Sequence, residues 1–469
     1  MTTLAQPPLR GDQIARFDVA GPRYTSYPTA DRFVDAFDAD AYRAALEQRA
    51  AGIGVVGGAR APLSVYVHIP FCESVCYYCA CNKVITRHHE RAAEYLDALE
   101  AEIALHTAQL GTGTPLSQLH FGGGTPTFLS DAELERLMGA LRRAFRFDAD
   151  GEYSIEVDPR TVTAERLQHL ASLGFNRLSL GVQDFDPAVQ KAVHRVQPYE
   201  DVEKLIAAAR RLGSFRSINV DLIYGLPKQT PESFQRTLQQ VNVLRPDRIA
   251  LYAYAHLPER FKPQRRIDAA DLPAPEQKIS MLAASIDALG AAGYDYIGMD
   301  HFALAGDSLS IAKRQGRLHR NFQGYSTQPD CDLIGLGVSA IGRIGATFSQ
   351  NAKTLPEYYD AVHNGRFPVV RGLALQRDDL IRRAVIMAVM CQGHVVYESI
   401  ESAWLIRFAD YFAPELEQLR ALAQQGLVVF EDDGLRVTPL GWYFVRAVGM
   451  VFDKYLQVER SRTRFSRII

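Results

Sequence analysis

The sequence predicts an α/β protein whose main domain is an incomplete, open (β/α)6 barrel of the TIM type. Stretches rich in β-branched residues alternate six times with amphipathic stretches of helical period, a pattern typical of a parallel sheet covered by helices. Six units are fewer than the eight that close a TIM barrel, so we expect the barrel to stay open. A doubly wound parallel sheet is the alternative. With 47% hydrophobic and 23% charged residues, the composition is that of an ordinary globular protein.

The six units follow one another along the first two thirds of the chain. Their strands are predicted over residues 64–69, 118–121, 153–157, 177–182, 218–223 and 248–254. Their helices are predicted over residues 91–110, 131–145, 164–173, 199–212, 231–244 and 275–289. One more strand is predicted at 295–299. In either architecture ligands bind at the carboxyl ends of the parallel strands, so we expect the chemistry in the loops that follow them.

Local signals support these assignments. The segment SVYVHI at 64–69 is rich in β-branched residues, as expected for a buried strand. In the first helix, Tyr95, Leu96, Leu99 and Ile103 lie on one face, which gives the apolar stripe of an amphipathic helix. Ser130 precedes the second helix in the position of an N-cap.

Two further regions flank the barrel, which we expect to occupy residues 61–370. Residues 1–60 form an N-terminal arm and linker: 23–33 is rich in Tyr, Thr and Pro, and 51–60 is rich in Gly. Residues 371–469 lose the strand–helix alternation and predict a mainly helical, winged-helix-like domain.

The winged-helix pattern consists of a helix, a hairpin and a second helix. The first helix is predicted at 413–425, the hairpin strands at 427–430 and 435–438, and the last helix from Gly441. Winged helices often bind DNA, but residues 413–425 contain one Arg and no Lys. We therefore favour a packing or lid role for this domain.

Charge and hydrophobicity exclude several classes of function. The chain has 52 Lys and Arg against 54 Asp and Glu, a net charge of −2, so no nucleic-acid partner is expected. No run approaches 18 uncharged apolar residues, which predicts no membrane-spanning helix. The start, MTTLAQPPLRGDQIARF, lacks the apolar core of a signal peptide. We expect a cytoplasmic protein, whose thiols stay reduced.

The cysteines are clustered. Cys72, Cys76, Cys79 and Cys81 fall within ten residues directly after the first strand, whereas Cys331 and Cys391 are isolated in the sequence. The spacing C-x3-C-x2-C offers three thiolates on one short loop. Fe–S clusters usually take four thiolates, so three leave one iron open to a substrate or cofactor.

Structural zinc is the alternative for this loop, with Cys81 or His68 as the fourth ligand. Such sites normally combine two ligand pairs separated by a dozen or more residues, and no second C-x2-C pair is present here. A redox-active dithiol is a further, weaker alternative. We expect that Cys81 is not a cluster ligand, because a fourth thiolate would close the open iron.

The cysteine segment, HIPFC-x3-C-YYC-A-C-N, resembles the radical S-adenosylmethionine superfamily and, within it, the oxygen-independent coproporphyrinogen III oxidases. Other segments are similar to the same family: GPRYTSYPTADRF, LHFGGGTPT, SIEVDPR, GVQDF, DLIYGLPKQTPESF, YAHLP, HRNFQGYSTQ and the terminal FSRII. Related haem-trafficking proteins typically lack the cysteine at position 81 and the Tyr-rich arm. A haem-binding or haem-trafficking protein without turnover is the alternative function.

The resemblance implies one 4Fe–4S cluster per chain, held by Cys72, Cys76 and Cys79, and two molecules of S-adenosylmethionine per chain. The residues it assigns to the first molecule are Tyr66, Gly123, Glu156 and Ile341. Those it assigns to the second are Tyr78, Gly124, Thr125, Gln183, Arg195, Asp221 and Ala255, with Gln323 beside them. The residue types suit these roles: glycines allow close backbone approach, carboxylates attract a cationic cofactor, and an arginine can clamp a carboxylate.

The resemblance also implies the reaction. A deoxyadenosyl radical abstracts hydrogen from propionate side chains of coproporphyrinogen III, and loss of an electron and of carbon dioxide leaves vinyl groups. Two propionates react, giving protoporphyrinogen IX in haem and porphyrin biosynthesis. The chain would thus be an oxidoreductase without a catalytic side chain of its own, because the cofactor carries the radical.

The same resemblance implies the partners. The substrate has four carboxylates and needs cationic anchors, for which Arg23, Arg265, Arg266 and Arg320 are candidates. A one-electron reductant of the flavodoxin or ferredoxin type is expected. We expect the protein to be a monomer.

Overall fold

The computed structural model of the chain describes residues 21–53, 58, 61–328 and 330–458. The strands, numbered along the chain, are β1 (Leu63–Ile69), β2 (Phe71–Cys72), β3 (Val84–Ile85), β4 (Thr114–Gly123), β5 (Phe145–Val157), β6 (Arg177–Gln183), β7 (Ser217–Tyr224), β8 (Arg248–Ala253), β9 (Tyr294–Gly298), β10 (His301–Leu304), β11 (His319–Asn321), β12 (Gly324–Ser326), β13 (Asp332–Leu336), β14 (Ile341–Ile344), β15 (Thr347–Asn351), β16 (Val369–Ala374), β17 (His394–Val396), β18 (Val428–Glu431) and β19 (Gly434–Val437). Most of these strands belong to one twelve-stranded sheet.

Helices fill the connections between the strands. They are α1 (Ala39–Ala50), α2 (Arg91–Leu110), α3 (Asp131–Ala144), α4 (Ala164–Ser172), α5 (Pro187–Ala192), α6 (Tyr199–Leu212), α7 (Pro231–Leu244), α8 (Pro275–Ala291), α9 (Ser308–Arg314), α10 (Leu355–His363), α11 (Arg377–Gln392), α12 (Tyr397–Trp404), α13 (Phe408–Tyr411), α14 (Ala413–Gln424), α15 (Pro439–Tyr443), α16 (Val445–Val451) and α17 (Lys454–Val458). Among the described residues, no helix is both long enough and apolar enough to span a membrane.

The centre of the large sheet confirms the predicted open barrel. Strands β1, β4, β5, β6, β7 and β8 pair in that order, each parallel to the next, and each is followed by a helix on the outside. The strand order runs from β16 at one edge to β9 at the other, so the sheet does not close. A six-unit parallel sheet therefore curls into part of a barrel.

Both edges of the sheet go beyond the prediction. Strand β13 pairs parallel to β1 on its free side, and β14 to β16 continue from β13 in antiparallel fashion. At the other edge the predicted strand at 295–299 is present as β9, but it pairs antiparallel with β10, which pairs antiparallel with β8. The parallel series thus ends at β8.

Alternation along the barrel strands separates an apolar outer face from a polar inner face. In β7, Ile218, Val220 and Leu222 are buried against the helices, whereas Asn219 and Asp221 point into the barrel. Successive side chains of a strand point to opposite faces, so one strand serves both the core and the cavity.

The outer helices begin where their caps predict. Ser130 accepts a hydrogen bond from the Glu133 N–H and forms a capping box at the start of α3, and Thr230 caps α7 in the same way.

The N-terminal arm lies against the C-terminal domain. Tyr24 and Tyr27 are fully buried; the Tyr24 hydroxyl donates to Asp453 at 3.0 Å, and the Lys454 N–H donates to the Tyr27 hydroxyl at 3.4 Å. Arg446 of α16 donates to the carbonyl of Pro22 at 2.9 Å. The described part of the arm therefore packs against the C-terminal domain.

The C-terminal domain has the predicted winged-helix pattern. Helix α14 leads into the antiparallel hairpin β18–β19, and α15 and α16 follow. Strand β17 adds a third strand to the hairpin by pairing with β19. The terminal FSRII motif and part of the predicted linker lie outside the described residues.

Candidate functional site

Backbone hydrogen bonds join the start of the cysteine loop to its end. It leaves the barrel after β1, and its first cysteine lies in β2, which pairs parallel with β3 on the far side of the loop. The Thr86 N–H donates to the Cys72 carbonyl at 2.9 Å, and the Val84 N–H donates to the Pro70 carbonyl at 2.8 Å. The loop therefore has a defined shape at the carboxyl end of the barrel.

Hydrogen-bond donors point at two of the cysteine sulfurs. The Thr125 hydroxyl donates to Cys72 Sγ at 3.4 Å, and the guanidinium of Arg195 donates to Cys76 Sγ at 3.5 Å. Arg160 approaches Cys76 Sγ at 3.7 Å. All the cysteines are free thiols. Donors and positive charge favour the thiolate form, which is the form that ligates a metal.

The last two cysteines of the loop differ in their affinity for a proton. A hydrogen bond from the Cys81 thiol and the nearby Lys83 ammonium lower the pKa of Cys79 to about 6. Donating that hydrogen bond raises the pKa of Cys81 well above its usual range. Burial raises the pKa of Cys72 to about 11. At neutral pH Cys79 is thus a thiolate, while Cys81 keeps its proton.

The sulfurs of the three motif cysteines do not all lie within 4.8 Å of one another, which is wider than one zinc ion requires. Among the described residues, the one group of three His, Cys, Asp or Glu side chains whose donor atoms all lie within 4.8 Å of one another is His394, Glu431 and Asp433. The three cysteines of the C-x3-C-x2-C motif do not form such a group. A tetrahedral zinc with bonds of about 2.3 Å would bring its sulfurs to about 3.8 Å from one another. An Fe–S cluster, which is larger than one metal ion and is bound by cysteine thiolates, suits these three residues better.

The three glycines at the end of β4, of which the last follows the strand, allow β4 to pass close to the cysteine loop. The Gly124 N–H donates to the Ile69 carbonyl at 2.7 Å, and a Cβ on Gly124 would lie 2.6 Å from the Pro70 carbonyl oxygen. Gly123 has a φ of +116°, and a Cβ there would lie 2.7 Å from the His68 ring. The glycines thus bring the end of β4 against the cysteine loop, in addition to any contact with a ligand.

A cavity of about 480 Å³ occupies the inside of the barrel. Its wall consists mainly of the inward-facing residues of the parallel strands, which are polar in strand after strand. Examples are Glu152, Ser154 and Glu156 of β5, and Ser217, Asn219 and Asp221 of β7. A polar, ionisable lining suits a charged ligand rather than a purely apolar one.

Glu156 lies at the carboxyl end of this cavity in a set of hydrogen bonds. His120 Nε2 donates to its carboxylate at 3.2 Å, and the Gly123 N–H donates to it at 3.2 Å. Burial opposes its charge, but these two donors hold the pKa of Glu156 below its usual range. The Tyr66 ring stacks on His120 at 5.8 Å. Glu156 is therefore an ionised carboxylate facing the cavity.

Asp221 is the second carboxylate of the cavity. It accepts hydrogen bonds from Asn219 at 2.8 Å and from Ser179 at 3.3 Å. Burial, and then the negative charge of Glu156, raise the pKa of Asp221 to about 7. Its charge is therefore poised to change near neutral pH, and a cationic ligand would favour the ionised form.

A second cluster of residues lies around the cysteine loop. Arg195 forms a buried pair with Asp158, with two N–O distances of 3.2 Å, and donates to the Gly181 carbonyl at 2.5 Å. The buried Gln264 amide donates to the carbonyls of Tyr78 at 3.0 Å and of Ala255 at 3.2 Å. These bonds join the loop to the ends of β6 and β8.

The residues assigned by resemblance fall into two neighbouring places. Those lining the barrel cavity are Tyr66, Glu156, Asp221, Gln323 and Ile341. Those in or against the cysteine loop are Tyr78, Gly123, Gly124, Thr125, Arg195 and Ala255, and Gln183 ends β6 beside them in a left-handed conformation with a φ of 70°. Asp221, assigned to the second cofactor, thus shares the cavity with Glu156, assigned to the first.

The candidate substrate anchors also separate into two pairs. Arg23 pairs with Asp300 and lies over Tyr252, a cavity residue, at 5.4 Å. Arg320 lies over Tyr325, another cavity residue, at 4.6 Å. Arg265 and Arg266 are exposed on the outside of the barrel mouth.

Several residues of the site were not singled out from the sequence. They are His120, Asp158, Asn219 and Gln264. His120 and Asn219 could have been found from the alternation of polar and apolar residues within their strands. Asp158 and Gln264 gave no such signal, because their partners are distant in the chain.

Comparison with known proteins identifies the family of this chain. The sequence profile of the Radical SAM superfamily matches residues 66–241, and that of the HemN C-terminal domain matches residues 375–444. An oxygen-independent coproporphyrinogen III oxidase of Escherichia coli is 50% identical over 456 residues, which cover 97% of each chain. One from Pseudomonas aeruginosa is 50% identical over 461 residues, or 98% of each chain.

A solved structure agrees in three dimensions. Coproporphyrinogen III oxidase (HemN) from Escherichia coli, described as a radical SAM enzyme, superposes with a TM-score of 0.88 at 51% identity, covering 92% of this chain and 98% of that one. Identity at this level over nearly the whole of both chains does not arise without common descent. The chain therefore belongs to the family of oxygen-independent coproporphyrinogen III oxidases.

Proposed function

We propose that this chain catalyses the oxidative decarboxylation of two propionates of coproporphyrinogen III to vinyl groups, giving protoporphyrinogen IX. It is a radical S-adenosylmethionine oxidoreductase of haem biosynthesis. The observation that carries the proposal is the position of the three-cysteine loop at the mouth of a barrel cavity with ionisable walls. The alternative, haem trafficking without turnover, is not favoured by the family relationship.

Cys72, Cys76 and Cys79 would hold the 4Fe–4S cluster. The cluster, together with S-adenosylmethionine, supplies the deoxyadenosyl radical that removes hydrogen from the substrate. Thr125 and Arg195 donate hydrogen bonds to the sulfurs of Cys72 and Cys76, which stabilises negative charge on them.

Two cofactor sites are part of the proposal. Glu156 would bind the positive charge of the first S-adenosylmethionine, since two donors keep it ionised. The second molecule would lie between Asp221, Gln183 and Arg195. The shared cavity of Glu156 and Asp221 supports two cations lying close together, each facing its own carboxylate.

Arg320 is the strongest candidate anchor for a substrate propionate. It is 5% exposed, and its Nη1 has no hydrogen-bond partner in the part of the chain that the structure describes. An unpartnered buried guanidinium N–H is costly, and a carboxylate would satisfy it. Arg23 is less available, because Asp300 already neutralises it.

The remaining parts of the proposal concern the whole chain. We propose a monomer that works in the cytoplasm and takes electrons from a one-electron reductant of the flavodoxin or ferredoxin type, with no nucleic-acid partner. We also propose three regions: the arm and linker at 1–60, the barrel with its extension at 61–370, and the helical domain at 371–469.

The reaction is tested with anaerobically reconstituted protein. It is incubated with S-adenosylmethionine, dithionite and coproporphyrinogen III, and the vinyl product is followed by chromatography. We expect protoporphyrinogen IX from the wild type and none from Cys76→Ala, with Cys331→Ala as the matched control that keeps activity. A wild type that binds haem tightly and forms no product would overturn the proposal in favour of trafficking.

The two cofactor sites are tested by equilibrium binding of labelled S-adenosylmethionine. The wild type should bind about two molecules, and Gln183→Ala about one. Glu156→Ala should instead lose the cofactor-induced change in the cluster's electron paramagnetic resonance signal. One molecule bound to the wild type, both with and without substrate, would refute the second site.

A further inference from the structure

A group of cations surrounds the solvent side of the cysteine loop. We call it the basic rim and define it as Lys83, Arg260, Lys262, Arg265, Arg266 and Lys353. All are exposed except Lys83, which is half-buried. The whole chain has a net charge of −2, so this positive surface is a local feature.

Direct contacts attach the rim to the loop. The turn Lys262–Arg266 is anchored by Gln264, whose amide donates to the Tyr78 carbonyl at 3.0 Å. The Arg266 guanidinium lies over the Tyr77 ring at 5.2 Å. Lys83 Nζ donates to the Cys79 carbonyl at 3.1 Å. Lys83 and Arg266 therefore lie directly against the cysteine loop.

Lys353 extends the rim on the other side of the loop. Its carbonyl accepts a hydrogen bond from the Asn82 amide at 3.0 Å, next to Cys81. Burial, and then the positive charges of Arg371 and Arg260, lower the pKa of Lys353. Lys353 and Arg260 are thus close enough to repel one another.

In the part of the chain that the structure describes, the cations of the rim have no ion-pair partners. Across the described residues, none of its six members forms an ion pair with a carboxylate, whereas many other arginines of the chain do. Like charges gathered without counter-charges destabilise a surface. Such a surface is expected where a negatively charged partner binds.

We infer that the basic rim is the docking surface for an acidic one-electron carrier protein. The inference rests on the proposed function, which requires one external electron for each radical formed. The carrier would lose one electron and the cluster would gain it, with no proton transferred. Cys79 is half-buried and Cys81 is exposed, so this side of the cysteine loop is accessible to a docked carrier.

The substrate is a less suitable occupant of the rim. Coproporphyrinogen also carries negative charge, but none of the six rim residues lines the barrel cavity in which the carboxylates Glu156 and Asp221 lie. Exposed charges spread over an outer surface accelerate the encounter with a protein partner and set its orientation. They give little binding to a small ligand in water.

The test uses the reconstituted holoenzyme and an acidic flavodoxin as the probe. Binding is measured by calorimetry from 20 mM to 500 mM salt. The variant Arg260→Glu/Lys262→Glu/Lys353→Glu should raise the Kd at least tenfold at low salt and flatten its salt dependence. The matched control, Arg143→Glu/Lys204→Glu/Arg211→Glu, reverses three exposed cations on the outer helices and should leave the Kd unchanged.

A second measurement separates this inference from the proposed function. With dithionite as the reductant, the rim variant should cleave S-adenosylmethionine at the wild-type rate, whereas with reduced flavodoxin its rate should fall at least tenfold. Equal flavodoxin binding by the rim variant and the wild type would overturn the inference. So would a raised KM for coproporphyrinogen with unchanged flavodoxin binding, which would make the rim a substrate entrance. No cleavage by wild type with dithionite would instead refute the proposed function.

Discussion

Glu102 is a buried carboxyl group that ties α2 to the wall of the cavity. It is 1% exposed and accepts hydrogen bonds from the Gly337 N–H at 2.7 Å, the Tyr358 hydroxyl at 2.7 Å and the Asn351 amide at 2.8 Å. Gly337 begins the turn that leads to Ile341, a cavity residue. The change we consider is Glu102→Gln.

Burial raises the pKa of Glu102 to about 7, despite its three donors. In the unfolded chain the group has a pKa of about 4.3 to 4.5. A raised folded pKa contributes stability that is fully present below the unfolded pKa and is lost as the pH rises through about 7. Between pH 5 and pH 8 the ionisation of Glu102 should therefore lower the free energy of unfolding of the wild type by about 2.5 kcal/mol. Glutamine cannot ionise, so the variant should lose no stability through residue 102 over this pH range.

A second effect lowers the stability of the variant at every pH. The amide of Asn351 also donates to the Gly337 carbonyl at 2.9 Å, so it cannot turn to accept a bond from a glutamine amide. Two N–H groups would face each other, at a cost of about 1–3 kcal/mol. This cost does not depend on pH, so the change with pH in the stability difference between the two proteins can still be measured.

The assay is thermal unfolding of both proteins from pH 5 to pH 8. For a chain of this size 1 kcal/mol shifts the Tm by about 1–1.5 °C. The Tm of Glu102→Gln minus that of the wild type should therefore rise by about 3 °C across this range. Glu94→Gln, at an exposed site on the same helix, is the control. Its Tm minus that of the wild type should stay constant from pH 5 to pH 8. A flat difference for Glu102→Gln as well would refute the reasoning.

Three further predictions follow from the site. Cys81→Ser should keep about four irons per chain by iron and sulfide analysis, whereas Cys76→Ser should lose most of them; equal losses would make Cys81 a ligand. Gly124→Ala should lower both the iron content and the Tm, because its Cβ would lie 2.6 Å from a backbone oxygen of the cysteine loop, while Gly139→Ala in α3 should not lower either. S-adenosylmethionine should bind more tightly as the pH rises through 7, where Asp221 ionises, and Asp221→Asn should flatten that profile in equilibrium dialysis; parallel profiles would contradict the role of Asp221.

Sequence reasoning predicted what is encoded locally. The six strand–helix units follow from hydrophobic periods of two and 3.6 residues, each contained within a short segment. The C-x3-C-x2-C motif is local too, because its three thiols lie within eight residues of the chain. The winged-helix pattern followed from a helix, a hairpin and a helix that are adjacent in sequence.

The edges of the sheet could not be predicted in this way. Strand β13 is short and follows the small β11–β12 hairpin, and its place beside β1 depends on pairing between residues such as Leu63 and Asp332. Nothing in the local pattern distinguishes a parallel seventh strand from the antiparallel pair β9 and β10. Pairing partners are selected by the packed fold, not by the strand's own residues.

The electrostatics of the site were also decided only by the tertiary structure. Arg195 and Cys76 lie 119 residues apart in the chain, yet the guanidinium touches the sulfur. Glu156 and Asp221 belong to different strands, and their opposite pKa shifts arise because one accepts hydrogen bonds from His120 and Gly123 while the other is buried beside it. The sequence by itself determined which ionisable residues are present and near which strand ends they lie. Their protonation and their partners depend on distances across the barrel, because Coulomb and hydrogen-bond energies change over a few ångströms that no sequence spacing specifies.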